Sequence, residues 1–203
     1  MLANLAGDTL AYLSQGGDVM VPLILCSLVM WTLILDRLLF FSRLERNDIA
    51  LHALVRILDP DPASRCLVPK DAEGPRAHLV RHLLARRTHK PFLDRRILDQ
   101  CVMSMTPALD RYLAVIAVLA AVAPLFGLLG TVTGMITTFD VITLFGTGNA
   151  KAMAGGISEA LVTTQSGLVI SIPGFFMSTL LFRKSLAVRN RLEEAAYILK
   201  RRL

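Results

Sequence analysis

Charge is scarce in this chain, and three long stretches have none. Only 19% of the 203 residues are Asp, Glu, Lys or Arg, against about 25% in an ordinary soluble domain. No charged side chain occurs in residues 19–35, between Asp18 and Asp36, in 112–139, between Arg111 and Asp140, or in 160–182, between Glu159 and Arg183. Cysteine is scarce too. Three cysteines in the whole chain exclude a disulfide-stapled secreted domain. Residues 1–18 lack Lys and Arg, so no basic region precedes the first apolar run. That run is therefore expected to be a retained span and not a signal peptide. Ser166-Gly167 has no GxSxG frame and no phosphate loop occurs. No enzyme or cofactor is expected.

What is present is apolar: 54% of the residues belong to the AVILMFWYC set, which excludes disorder. A membrane-crossing helix needs about 20 predominantly apolar residues, with about 17–25 the usual range. Each charge-free stretch is in or beyond that range. Such a run in lipid must be helical, because no water is there to satisfy an exposed backbone. Buried helices of a soluble protein are the competing reading, and three such runs in a chain this short disfavour it. The expected fold class is an all-α integral membrane protein with three transmembrane helices and long cytoplasmic helical extensions. Its segments are an outer N-terminal stretch (1–18), first span (19–42), cytoplasmic helical segment (43–111), second span (112–139), outer loop (140–156), third span (157–182) and cytoplasmic tail (183–203), the outer segments being periplasmic if the membrane is a bacterial inner one.

Basic residues orient these spans. The four polar segments carry zero, thirteen, one and seven Lys or Arg in chain order. Cytoplasmic loops accumulate such residues, so the N-terminus is placed outside and the C-terminus inside. Leu2, Leu5, Thr9 and Tyr12 share one face of a short helix expected to lie on the outer membrane surface. In the long polar segment, Ile49, Leu54, Val55, Ile57 and Leu58 can form one apolar stripe, and Leu79, Leu83 and Leu84 another. Asp59-Pro60-Asp61-Pro62 and Gly74-Pro75 read as breaks. Thr106-Pro107 reads as a helix cap followed by proline at the first helical position, so the second membrane helix is expected to begin there.

All four histidines lie in residues 52–89. His78 and His82 have the i, i+4 spacing that can bind zinc on a helix, but no Glu follows His78 as a metalloprotease requires. A solvated basic helix is the better account. Cys26 lies in a span; Cys66 and Cys101 fall in the segment placed in the reducing cytoplasm, and all three are read as inert. The formal charge of +6 could suggest nucleic acid. The basic segment has few aromatics to stack on bases, so no nucleic-acid partner is expected. Anionic lipid headgroups at the cytoplasmic face account for the charge better.

Small and hydroxyl residues recur at helical spacing in the second and third charge-free runs. Gly127, Thr131, Gly134 and Thr138 step by four, three and four. Ala160, Thr164, Gly167, Ser171, Gly174 and Ser178 continue the same rhythm. Each set falls on one face of a helix. Close helix packing explains such faces; a polar lining of a shared cavity does so equally. By helical rise, Thr131 and Thr164 lie at similar depth, about 8–14 Å from the outer helix ends. Glu159 opens the third run. It either stabilises a helix N-terminus or stands at the mouth of an ion path. No carboxylate sits deep in any span.

The run APLFGLLGTVTGM (residues 123–135) resembles the second-span motif of the MotA/TolQ/ExbB proton-channel family, and GISEALVTTQSGL (156–168) its third-span motif. Three spans are similar to its ExbB and TolQ branches, and closest to ExbB-like members. The resemblance implies a homopentamer in the bacterial inner membrane enclosing single-span, ExbD-like partners, each with one membrane aspartate. Proton flow through that aspartate would drive rotation and power a TonB-like energy transducer. The resemblance also implies a proton pathway at Thr131, Thr164 and Glu159, with Gly127, Gly134, Thr138, Ala160, Gly167 and Ser171 on the partner-facing side. Gln165 and Ser166 depart from better-known ExbB proteins, which leaves a TolQ-like role in envelope integrity as the alternative. A passive scaffold or transporter subunit is the reading from a different class; a transporter should show inverted repeats or broken helices, and neither stands out.

The charge asymmetry makes a direct prediction. In a cysteine-free background, Lys70→Cys should resist a membrane-impermeant thiol reagent in intact cells and react after permeabilisation. Labelling from outside would reverse the orientation.

Overall fold

The computed structural model describes residues 15–46, 48, 74–88 and 90–202. Among these there is no strand. The elements are α1 (Met20–Arg46), α2 (Pro75–Arg86), α3 (Pro91–Asp110), α4 (Leu113–Phe145), a 3-10 turn (Gly146–Gly148) and α5 (Ala150–Arg202). Three helical stretches are long and apolar enough to cross a membrane. This is the all-helical, three-span class expected from the charge-free runs. The outer surface helix read at Leu2, Leu5, Thr9 and Tyr12 lies outside the described residues, as do the stripe from Ile49 to Leu58, the Asp59–Pro62 break and Cys66.

The chain divides into two compact units. Met1–Ile34 with Ala114–Ser178 form one, and Leu35–Leu113 with Thr179–Leu203 the other. The first holds most of the charge-free sequence. Met20, Leu23 and Ala123 form one buried cluster, with Ile24, Phe126, Val162 and Ile170 packed against it, and Met30, Ile34, Ile116 and Ala120 are fully buried as well. Leu25, Leu28, Leu125, Val132, Val169 and Ile172 are exposed. A water-soluble protein seldom leaves so many large apolar side chains open on its long helices; lipid or further helices must cover them.

The second unit has a conventional core. Leu79, Val80 and Leu83 of α2, Leu98 and Cys101 of α3, and Leu192, Ala195, Ala196 and Leu199 of α5 form one buried cluster. The stripe read at Leu79 and Leu83 is thus the core face of α2, with Leu84 partly buried at its margin. Burial pushes the Cys101 thiol above its ordinary range, which keeps it in the unreactive protonated form. The α2–α3 connection is fixed by Asp94, whose buried carboxylate accepts from the Thr88 N–H and hydroxyl, both at 2.9 Å.

Two boundaries differ from the sequence reading. The second membrane helix begins at Leu113, not at Pro107. Pro107 sits inside the last turn of α3, and the Thr106 hydroxyl donates to the Val102 carbonyl at 3.0 Å instead of capping a new helix. A proline there removes one backbone bond shortly before the helix ends. The actual break is Arg111–Tyr112, where Tyr112 takes a left-handed φ of 64°. A helix end leaves carbonyls without partners. Arg37 of α1 supplies one, donating to the Ala108 carbonyl at 3.2 Å. Its guanidinium also lies 5.1 Å from the centre of the Tyr112 ring. The Ser185 hydroxyl donates to Asp110 at 2.7 Å, so α5 holds the same corner.

The second difference is the 140–156 connection, which is mostly helix. α4 continues through Phe145, Gly146 turns with φ 67°, and Asn149 starts α5 by accepting the Ala152 N–H at 3.2 Å. Loss of apolar character marks where a helix leaves lipid, not where it ends. At 33 residues, α4 is about 50 Å long, well over the roughly 30 Å of hydrocarbon. The tail extends the third helix without interruption, through Pro173 to Arg202.

Leu192 is fully buried and Leu186 is exposed. Leu192→Ala should therefore destabilise the protein by about 2–5 kcal/mol, and Leu186→Ala by under about 0.5 kcal/mol, as read by thermal denaturation in detergent.

Candidate functional site

The membrane unit is organised by the antiparallel contact of α4 with α5, and glycines bring the two backbones together. A Cβ placed on Gly127 would lie 3.2 Å from the Thr163 carbonyl oxygen and from the Thr164 Cα; on Gly134, 2.7 Å from the Gly156 carbonyl oxygen and 2.8 Å from the Ala160 nitrogen; on Gly167, 2.9 Å from the Ala123 carbonyl oxygen. Gly130 is filled by the Thr163 side chain and Gly156 by the Thr138 hydroxyl. Lipid tails are as apolar as leucine, so membrane helices associate largely through such close packing.

This contact reassigns most of the face read as partner-facing. Gly127, Gly134, Thr138, Ala160, Gly167 and Ser171 are all buried inside the chain. The contacts of the four glycine and alanine positions are with the opposite helix of the same chain. Thr138 donates to the Gly134 carbonyl at 2.9 Å and Ser171 to that of Leu168 at 3.2 Å. The contact stripe on α4 runs 123, 127, 130, 134, 138, and on α5 it runs 156, 160, 163, 167, 171. Gly130, Gly156 and Thr163 belong to it and were missed. Gly130 keeps the same three-and-four spacing with Gly127 and Gly134, so that signal was present.

Thr131 and Thr164 are each one residue past the stripe, and both are partly exposed. One residue turns a helix by about 100°. On two antiparallel helices facing each other, that step turns both side chains to the same side of the pair. Leu128, Met135, Phe139, Ile157, Leu161, Leu168 and Ile172 share that side, all exposed. The open side is thus apolar apart from two hydroxyls. The Thr131 hydroxyl donates to the Leu128 carbonyl at 2.7 Å. The Thr164 hydroxyl donates across the pair to the Gly127 carbonyl at 3.3 Å, or along its own helix to Ala160 at 3.1 Å. Gly127 is one helical turn from Thr131, so the two hydroxyls stand within about 6 Å in depth. Each oxygen keeps lone pairs able to accept.

Glu159 is one residue before the stripe and so lies on the opposite side. α1 covers that side, through the packing of Met20 and Leu23 with Phe126, Val162 and Ile170. The half-buried Glu159 carboxylate abuts Gly17, just ahead of α1. The three residues read as one proton pathway therefore divide: two hydroxyls on the open side, one carboxylate against the α1 side. Gln165 and Ser166 line a groove of about 360 Å³ with Met20, Leu23, Ile24, Val169 and Ile170. His78 and His82 stack with ring centres 6.4 Å apart. Among the described residues no cluster of three or more His, Cys, Asp or Glu is arranged to hold a metal.

A multi-pass helical membrane protein, with a glycine-packed helix pair that carries hydroxyls on one open side and no acid in its apolar cores, is the class these observations define. The chain belongs to the MotA/TolQ/ExbB proton channel family, whose model matches residues 71–194. It is 33% identical over 171 residues to a Synechocystis sp. protein that carries the name biopolymer transport protein ExbB-like 3, covering 82% of this chain and 79% of the relative. It is 34% identical over 186 residues to ExbB-like 1 of the same organism, covering 87% and 70%. Against the biopolymer transport protein ExbB of Salmonella typhimurium the identity is 30% over 179 residues, covering 82% and 72%.

Gly134 has backbone in its path, whereas a Cβ on Gly155 meets nothing within 4 Å. Gly134→Val should force α4 and α5 apart and destabilise the protein by about 1–3 kcal/mol or more. Gly155→Ala, in an exposed part of α5, should not destabilise the protein and should raise its stability in detergent by up to about 1 kcal/mol.

Proposed function

We propose that this chain is the ExbB-like, non-enzymatic subunit of a proton-driven motor in the bacterial inner membrane. It acts as a homo-oligomer, with a pentamer as the expected form. The observation that carries the reading is the open side of the α4–α5 pair, apolar except for Thr131 and Thr164. A single apolar helix bearing one acid, as in an ExbD-like partner, is the complement of that surface. A charged carboxylate is costly in the bilayer interior. When protonated, it donates to a threonine oxygen. When ionised, it needs a donor, and each hydroxyl can supply one by rotating away from the carbonyl it now bonds. Alternate protonation then changes the strength of the partner's hold on this side. One elementary charge crossing the membrane releases about 2.3 kcal/mol per 100 mV, enough to bias a step of one helix past another. The relatives named biopolymer transport protein ExbB support an ExbB-like over a TolQ-like role, and a TonB-type transducer is proposed on that basis. The positive-inside charge pattern supports an outer N-terminus, an inner C-terminus and anionic lipid around the basic inner helix ends.

Proton flux into liposomes tests this. The protein alone should not conduct, because the three charge-free cores contain no titratable acid. With a single-span partner bearing a membrane Asp, flux should appear. Thr131→Val/Thr164→Val keeps side-chain shape and removes both hydroxyls. Losing a hydrogen bond to a charged group costs about 1.5–3 kcal/mol, so flux should fall about tenfold or more while the complex still co-purifies. Full flux through the isolated protein, or through the double variant, would overturn the reading.

A further inference from the structure

Glu159 is the carboxylate at the start of the third apolar run, yet the α4–α5 pair does not hold it on the hydroxyl-bearing side. Its nearest constraint comes from the turn before α1. Gly17 has φ 63°, a left-handed conformation that L side chains rarely adopt. A Cβ there would overlap a Glu159 carboxylate oxygen and lie 2.7 Å from its Cδ and 3.3 Å from its Cγ. The whole end of the Glu159 side chain lies in the space a residue-17 side chain would fill. The turn is itself fixed, because the Gly17 carbonyl accepts the Met20 N–H at 3.2 Å as α1 begins. Gly16, its neighbour, differs: the three atoms nearest a Cβ there all belong to the Met20 side chain, with its flexible thioether sulfur closest at 3.0 Å. The requirement for glycine is therefore specific to the position that touches the carboxylate.

We propose that Gly17 is a positioning residue for Glu159. The start of α1 forms one wall of the outer mouth of the proton path, and the missing side chain at Gly17 is the space in which the Glu159 carboxylate rests. This rests on the reading of Glu159 as a pathway residue. It adds that α1 governs how the carboxylate meets the outside solution. A shift of the first span would therefore move a proton-collecting group without disturbing the hydroxyl pair.

The test uses the full protein reconstituted with its single-span partner. Glu159 is modified from the outside with a water-soluble carbodiimide and an amine, and the adduct is mapped by mass spectrometry; proton flux is measured on the same samples. Gly17→Ala should change the Glu159 modification rate at least fivefold and lower flux by a similar factor, and Gly16→Ala should change neither. The double variant Gly17→Ala/Glu159→Asp, whose carboxylate is one methylene shorter, should return flux to the level of Glu159→Asp alone. An unchanged modification rate in Gly17→Ala would overturn the proposal, even with reduced flux. Failure of the shortened acid to restore flux would assign the defect to backbone strain and would overturn it as well. The pathway reading fails separately: Glu159→Gln would then conduct like the unaltered protein, while the modification rate in Gly17→Ala still reports on positioning.

Discussion

Gly127, Gly134, Gly156 and Gly167 lack side chains, and the α4 and α5 backbones touch where these residues meet. The rest of the membrane unit depends on that contact. With little hydrophobic force between helices in lipid, a pair holds together through the dispersion gained at short range. Glycine on both helices shortens the distance and lets Thr163 and Thr138 fill the remaining gaps. It also fixes the rotation of each helix about its axis. Rotation decides that Thr131 and Thr164 emerge together on one side, while Val162, Ile170 and Phe126 emerge on the other to receive α1.

The hydroxyls in this region are mostly occupied by their own helices. Thr133, Thr138, Thr163 and Ser166 all donate to carbonyls three or four residues earlier. In lipid an unpaired donor costs several kcal/mol, so this is the resting arrangement expected of a threonine in a span. Thr164 has two carbonyls within reach, one of them on the opposite helix. A hydroxyl with a choice of acceptors at the edge of the packed stripe is what the proposed acid-bearing partner would require.

The charge-rich unit solves a different problem. α3 stops and α4 starts within two residues, and the left-handed Tyr112 costs about 1–2 kcal/mol. Arg37, itself buried, offsets this by bonding to the freed Ala108 carbonyl and stacking against the Tyr112 ring. Asp110 adds a bond to Ser185. The helix break is thus held by residues from α1 and α5, and no cap within its own sequence marks it.

Much of this was legible in the residues. Three charge-free runs determined three helical spans, because an apolar segment without water has no other way to satisfy its backbone. The spacing of Gly127, Gly134 and Gly167 determined where helices would approach closely. The 123–135 and 156–168 motifs gave the family. Other features were decided only by the tertiary structure. Pro107 looked like a helix start, but the break fell at Tyr112 because its support, Arg37, lies 71 residues from the carbonyl it binds. Spacing alone could not separate Gly130 from Thr131, or Thr163 from Thr164, because adjacent residues differ by only about 100° of rotation. Which of each pair is buried depends on the other helix. Glu159 and the two threonines share a stretch of sequence and a range of depth, yet they face opposite sides of the helix pair. That division follows from where α1 packs, a contact between residues far apart in the chain that no local pattern records.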